Sequence, residues 1–493
     1  MKIVLVSPPN IHFQDQGEVN LVEPLGIAYI GAVLENDGHE IRILDADTLR
    51  YSVEESVEYI VNEEPEIVGY SCLSPLAPIA LRIAAGVKKH IDTVSVFGGV
   101  HPTTFPQMAE NDYVDFLIVG EGEFAFSQLA TAIAMKKDWT NIPGLYFKKD
   151  GDINNTGPAE RIMDLDSLPF PARHLLPMGE YRYSFPILPK EGTVYASIQA
   201  SRGCPYKCIF CSSPAQWESL VRFRSPDSIV AELQHLKNDY GVNTFYIRDE
   251  VFTLNKKKVF RLCEEMVEAD LGMSWFCYAR ADHVTKELIE AMREAGCILV
   301  KVGVESGDDK ILERIKKGET RNDMREAFKI LNSIPGLYTH ASFMIGHPWD
   351  TQESVRNTIE FAKELNADTT VFPISTPFPG TELWNIAKKE NLLLTEDFQQ
   401  YGYVGTTVAK TLYLEPDELV KLEHKALIEY YFRPAYIWKA LKRIYQKPSA
   451  IKMYFRPLRT LMKWLYYSSN LCSASYGSRF ESWVGHSKAE TFP

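Results

Sequence analysis

The sequence predicts an α/β chain: a doubly wound parallel sheet first, a partly closed (β/α)6 barrel second, and helices last. Three observations carry this expectation. Short apolar runs alternate with amphipathic helical stretches over residues 1–145, and again over 191–400. Each run ends in glycine, proline, serine or another polar residue, where parallel α/β sheets gather their ligands. The chain of 493 residues is also too long for a single core.

In the first series the expected strands are KIVLVSPP, HEIRILDAD, EIVGYSCLSPL, TVSVFGGVHP and VDFLIVGEGE, with helices such as LGIAYIGAVLEND and PIALRIAAGVKKH between them. Residues 146–190 are rich in Pro, Asp and Asn and read as a surface linker. The second series offers TVYASIQAS, TFYIRDE, SWFCYARAD, ILVKVGVESG, THASFMIGHP and TTVFPISTPFPG. Six strands at this spacing suggest a barrel with its chemistry at the strand ends. Residues 401–493 read as mostly helical. Their stretch RPAYIWKALKRIYQKPSAIKMYFRPLRTLMKWLYY interleaves basic and aromatic residues and is cut by Pro434, Pro448 and Pro457. Three readings stay open for it: a helical cap, a membrane-surface helix, or a nucleic-acid patch.

The formal net charge of −12 argues against general nucleic-acid binding. No apolar run reaches membrane-spanning length, and the N-terminal residues lack a signal peptide's pattern. Eight cysteines in so long a chain are no disulfide scaffold, and a reducing, cytoplasmic setting fits them. Cys72, Cys263, Cys277, Cys297 and Cys472 stand singly in apolar surroundings, as small buried hydrophobes do.

Cys204, Cys208 and Cys211 are different. They crowd into SRGCPYKCIFCSSP directly after the first barrel strand. A structural zinc site takes four ligands, and a cubane iron–sulfur cluster normally takes four thiolates. Three thiolates leave one iron with an open coordination position.

This Cys-x3-Cys-x2-Cys triplet, with Phe210 before its last cysteine, resembles the signature of the radical S-adenosylmethionine (SAM) superfamily. The resemblance implies a TIM-like barrel, a 4Fe–4S cluster on Cys204, Cys208 and Cys211, and SAM as the ligand of the open iron. It implies Asp249, in preference to its neighbour Glu250, for the methionine ammonium. It also implies Arg280 for the carboxylate, Glu305 and Ser306 for the ribose or methionine end, and Gly346 of FMIGHPWDT on the adenine side. Each residue also has an ordinary role open to it, such as a helix cap for the carboxylates and a surface ion pair for Arg280.

Residues 1–145 resemble the Rossmann-like cobalamin-binding domain that precedes many such barrels, on EPLGIAYIGAVLENDGHEIRILDAD, FGGVHPT and DFLIVGEGE. Gly98, Gly99, Val100 and His101 would form one contact loop and Gly120, Glu121, Gly122 and Glu123 another, with Ser71 and Ser74 as weaker candidates. The Asp-x-His-x-x-Gly motif of stand-alone corrinoid domains is absent. His12, His39 and His101 therefore read as loop residues, and the cobalt is expected without a histidine below it.

Together the resemblances imply a cobalamin-dependent radical SAM enzyme. It would methylate an unactivated carbon of a small molecule through a 5′-deoxyadenosyl radical and methylcobalamin. An external electron donor such as flavodoxin or ferredoxin is implied, as is peripheral membrane contact if the basic aromatic tail is an anchor. Cyclisation, ring contraction or rearrangement without methyl transfer is the alternative. RNA methylthiolation is disfavoured, because Cys72 is the only cysteine before the triplet. No residue stands out as catalytic.

Overall fold

The computed structural model describes residues 1–10, 21–149, 151–183, 193–401, 407–446 and 451. His12, Cys472 and most of the basic aromatic tail lie outside them. The described residues up to Tyr430 belong to one compact unit, and those from Tyr431 onward to a second.

The first sheet forms where the apolar runs place it. Strands β1 (Lys2–Ser7), β2 (Glu40–Asp45), β3 (Ile67–Ser71), β4 (Val94–Gly98) and β5 (Phe116–Ile118) are parallel, in the order β2-β1-β3-β4-β5. The interiors of β1, β3, β4 and β5 are buried, as expected of a sheet covered on both faces, while edge strand β2 exposes Arg42. Capping follows the local sequence: at helix Val53–Glu63, Ser52 and Glu55 form a reciprocal capping box.

Residues 146–190 are not a linker laid over the surface. Strands β6 (Leu145–Lys149) and β7 (Asp152–Asn155) extend the first sheet antiparallel beyond β5. Ile162, Leu165 and Leu168 then pack on Leu25, Tyr29 and Val33 of helix Leu25–Asn36. These strands are short, and the burying residues follow no helical or strand period, so composition alone hid them.

The second sheet comprises β8 (Tyr195–Ile198), then after a small antiparallel ribbon of β9 (Ser201–Arg202) and β10 (Arg222–Phe223), β11 (Thr244–Ile247), β12 (Ser274–Ala279), β13 (Cys297–Glu305), β14 (Tyr338–Phe343) and β15 (Thr369–Val371). The six long-range partners run parallel in the order β8-β11-β12-β13-β14-β15. Among the described residues β8 and β15 do not pair with each other, so the barrel stays open as expected. On its outer face Trp275 is fully buried, stacked on Phe245 and edge-on to Phe252, with Nε1 donating to Ala295 O at 2.7 Å.

A buried ionic quartet joins the two sheets. Arg173, fully buried, donates from Nε to Glu23 Oε1 at 3.2 Å and from Nη2 to Ser197 O at 2.7 Å. Its Nη1 lies 2.7 Å from Glu232 Oε1, at an angle that makes the contact an ion pair rather than a hydrogen bond. Glu232 also takes Arg224, and Glu23 takes the hydroxyl of Ser197 at 2.7 Å. Burial pushes the Glu23 carboxyl up despite Arg173 beside it. For Glu232 the same burial penalty is outweighed by its two arginines, and its pKa falls. Removing the cation strands buried charge, which costs about 3–5 kcal/mol. Arg173→Met should therefore lower the unfolding free energy by about that amount, read from the urea midpoint, and Glu23→Gln in the same chain should recover part of it.

Candidate active site

The cysteine loop leaves β9 through Gly203. Its φ is +99°, and a Cβ there would stand 1.9 Å from Leu220 O, so only glycine lets the chain turn. Ile209 N donates to Ile315 O at 3.1 Å and Leu383 N to Ile209 O at 2.8 Å, which pins the loop between distant segments. Cys204, Cys208 and Cys211 are free thiols. Burial pushes all three up, Cys211 to about 12, and the charges of Cys204 and Cys208 add to the shift at Cys211. The nearby Lys317 and Arg280 work the other way at Cys204 and Cys208. Ser213 N donates to Cys211 Sγ at 3.4 Å.

These thiols suit a cluster. Among the described residues no three His, Cys, Asp or Glu side chains converge on one ion. A cubane needs no such convergence, since each thiolate binds its own iron.

Facing them is the end of β13. The strand bulges between Gly303 and Glu305, and Glu305 sits in the left-handed region at φ +67°. Its carboxylate folds back so far that a Cβ on Gly303 would lie 2.3 Å from Oε1. Lys317 Nζ is 3.5 Å from Glu305 and 3.2 Å from Glu319. Arg280 donates to Lys317 O at 3.1 Å, makes a two-point contact with Asp282, and stacks 3.5 Å from the Tyr206 ring centroid. Burial raises the Glu305 pKa, with Lys317 opposing. Burial would lower that of Lys317, but Glu305 and Glu319 raise it overall. The result is a buried mouth with two cations and two carboxylates a few ångströms apart, a polar cradle for a zwitterion. Lys317, Glu319 and Tyr206 escaped the sequence reading. Lys317 and Glu319 follow a helix rather than a strand, and Tyr206 looks like a spacer.

Other expected SAM contacts are distributed differently. Asp249 holds the chain just past β8, accepting from Ala200 N at 2.8 Å and Ser201 Oγ at 2.6 Å. Its neighbour Glu250 is the carboxylate whose charge reaches Cys204 and Cys211; it accepts from Gly203 N at 3.3 Å and Trp217 Nε1 at 2.7 Å. Ser306 is buried and bonded to Thr358 and Asp308 N. Phe210 lies 6.0 Å from His347, beside Gly346, whose N–H donates to Asp350.

At the first sheet's carboxyl edge, Ser71, Gly98 and Gly120 are half-buried and Gly99 is exposed, which bares backbone to a flat ligand. Gly99, at φ +102°, lets the loop close on Cys72, with His101 N donating to Cys72 O at 3.0 Å. Val100–Thr104 packs against Ser213–Trp217, directly after the triplet, and a Cβ on Gly380 of the PFPG turn would meet Thr104 at 2.5 Å. The two sets of strand ends therefore face one another.

Four side chains expected at the corrin have other partners. His101 Nδ1 is 3.0 Å from Ser74 Oγ, and the ring is stacked on Phe105 and edge-on to Phe398; burial lowers its pKa to about 4. Glu121 and Glu123 take Arg202 at 2.7 and 2.6 Å, and Glu121 also takes Arg222. All four of these charged residues are at most 6% exposed, so they bind the domains to each other. Adjacent glycines suggested a ligand loop, but the arginines claim the carboxylates. His39 precedes β2, at the opposite edge. Gly122 starts helix Gly122–Ala134.

The family model of the Radical SAM superfamily matches residues 198–362, and that of the B12 binding domain matches residues 19–130. An uncharacterized methyltransferase of Pyrococcus horikoshii is 34% identical over 444 residues, 89% of this chain and 94% of the relative. The chain is a radical SAM enzyme with a B12-binding domain. The anaerobic magnesium-protoporphyrin IX monomethyl ester cyclase of Rubrivivax gelatinosus is 30% identical to this radical SAM enzyme, over 85% of this chain and 75% of that one. The radical SAM methyltransferase TsrM from Kitasatospora setae, solved with cobalamin and a 4Fe–4S cluster, shares its fold with a TM-score of 0.65. That match is at 21% identity and covers 88% of this chain and 82% of TsrM.

Burial raises the Asp249 pKa to about 7 from 3.8, against its three hydrogen bonds. The folded state then holds a proton that the unfolded chain has released, so stability falls as pH rises from about 4 to 7. Asp249→Asn keeps an acceptor for Ala200 N–H and cannot titrate. Relative to this variant, the wild-type enzyme should lose up to about 1.4 kcal/mol per pH unit across that window, measured by urea melts at several pH values.

Proposed function

We propose that this enzyme methylates carbon in a small-molecule substrate, using a 4Fe–4S cluster, SAM and cobalamin. The observation that carries the reading is the packing of Val100–Thr104, from the B12-binding domain, against the helix that follows Cys211. It puts the bare-backbone edge of one sheet opposite the polar mouth of the other. When bound, the cluster and SAM supply a 5′-deoxyadenosyl radical, and methylcobalamin supplies the methyl group.

The chain's own residues orient and enclose. Cys204, Cys208 and Cys211 hold the cluster. Glu305, Lys317, Arg280 and Glu250 would receive the charged end of SAM and Phe210 and Gly346 its adenine, while Asp249 holds the chain past β8. Ser71, Gly98, Gly99 and Gly120 would offer their backbone to the corrin. The electron donor is a small protein of the flavodoxin or ferredoxin kind. Two SAM consumed per methylated product, yielding one 5′-deoxyadenosine and one S-adenosylhomocysteine, is the expected stoichiometry. Formation of 5′-deoxyadenosine with neither S-adenosylhomocysteine nor methylated product contradicts it. That result would favour the second reading, a ring-forming reaction, which the likeness to the cyclase supports.

Gly303→Ala should push the Glu305 carboxylate from its seat while leaving the thiols untouched. The reconstituted variant should keep its visible cluster absorption and bind SAM at least about tenfold more weakly.

Helix Pro434–Gln446, in the second unit, supports peripheral membrane contact. Ile437, Trp438, Leu441 and Tyr445 are exposed, Trp438 by 72% and Tyr445 by 89%, among Lys439, Lys442 and Arg443. No described helix is long and apolar enough to cross a membrane, so contact would be interfacial. Trp438→Ser with Tyr445→Ser should abolish co-sedimentation with anionic vesicles; unchanged sedimentation contradicts membrane contact through this helix.

A further inference from the structure

Below the mouth, the barrel interior is not the aliphatic packing usual for such folds. The inward positions of successive strands carry Tyr246 on β11, Phe276 and Tyr278 on β12, Lys301 on β13 and His340 on β14. Lys301 Nζ lies 4.5 Å from the Tyr278 ring centroid, and it donates to the hydroxyl of Tyr183 at 2.8 Å. Tyr183 comes from outside the barrel, ahead of β8, and sets its ring against Tyr195, Tyr246 and Phe276.

Two further observations point to a ligand. Tyr195 is 1% exposed, and its hydroxyl, in the same stack, has no hydrogen-bond partner. Tyr246, Tyr278, Gly303 and Ser342 are only half-buried although they face inward, and Arg248 is exposed. The inward face between Glu305 and Lys301, about 13 Å along the strand, is therefore partly open to solvent rather than sealed.

We infer that this interior cleft is the substrate pocket, and that Lys301 anchors an anionic oxygen group of an aromatic or similarly flat substrate. The group, a carboxylate or a phosphate, takes the position the Tyr183 hydroxyl now occupies on Lys301, with the Tyr195 hydroxyl as a second donor. The tyrosine rings hold the flat body, which leaves the reacting carbon toward the mouth. This rests on the reading of the chain as an enzyme of small molecules.

The test is calorimetric titration of the reconstituted, full-length enzyme with 1-naphthoate, naphthyl phosphate and the uncharged 1-naphthamide. The wild type should bind at least one of the anions about tenfold or more tightly than the amide. Lys301→Met should erase that preference and leave amide binding unchanged, whereas Lys301→Arg should keep it. Tyr183→Phe should tighten anion binding by removing the competing phenol, an effect that a purely structural tyrosine would not give. It also keeps the test open if Lys301→Met does not fold. The inference is overturned if the wild type shows no preference for either anion, if Lys301→Met retains it, or if Tyr183→Phe weakens it. The readout is binding, so it is separable from turnover. Anion preference without methyl transfer would count against the methyltransferase reading alone, and methyl transfer without anion preference against this inference alone.

Discussion

The arrangement depends on Arg202 more than on any other side chain. It stands two residues before Cys204, and its guanidinium reaches across to Glu121 and Glu123 at the carboxyl edge of the first sheet. Arg222, from the partner strand of the same ribbon, takes the remaining oxygen of Glu121. Buried charges are tolerated only when each is matched. The ribbon that launches the cysteine loop therefore has one low-energy position relative to the B12-binding domain. The Arg173 quartet repeats the device at Ser197, one residue before β8 ends, and together they fix the carboxyl end of the strand that leads to the triplet.

Positioning follows from that. With β8 and its ribbon held, Gly203 turns the chain, Ile209 is pinned from two sides, and Cys204 and Cys208 come within reach of the charges of Lys317 and Arg280. The bulge in β13 adds a locally strained carboxylate at Glu305, kept in place by Lys317 and by the missing side chain at Gly303. Strain of this kind persists where surrounding contacts over-determine it. Electrostatics at the mouth are thus set by rigid backbone rather than by mobile side chains, which lowers the reorganisation needed when a charged ligand arrives.

The eleven parallel strands of the two sheets were legible because a buried parallel strand must be a short apolar run with a polar stop. Cys204, Cys208 and Cys211 were legible because few structures use three clustered thiols. Side-chain direction at the strand ends was not. Asp249 and Glu250 are neighbours with different partners, Ala200 and Ser201 for the first and Gly203 and Trp217 for the second, none of them adjacent to the pair in sequence. Glu121 and Glu123 looked like ligand contacts because their arginine partners lie some eighty residues or more away in the chain. Strands β6 and β7 were hidden in a segment whose composition suggested a linker. In each case the missing information was tertiary.

These buried charges hold the cobalamin edge and the cluster loop face to face, an arrangement with a spectroscopic signature. It is tested most directly by pulsed electron paramagnetic resonance on enzyme holding cob(II)alamin and the reduced cluster. One well-defined interspin distance is expected in the wild type, and a broadened or lengthened distribution when Arg202 and Arg222 are replaced by methionine. A wild-type spectrum that is the plain sum of two isolated centres, with no dipolar coupling, would contradict it.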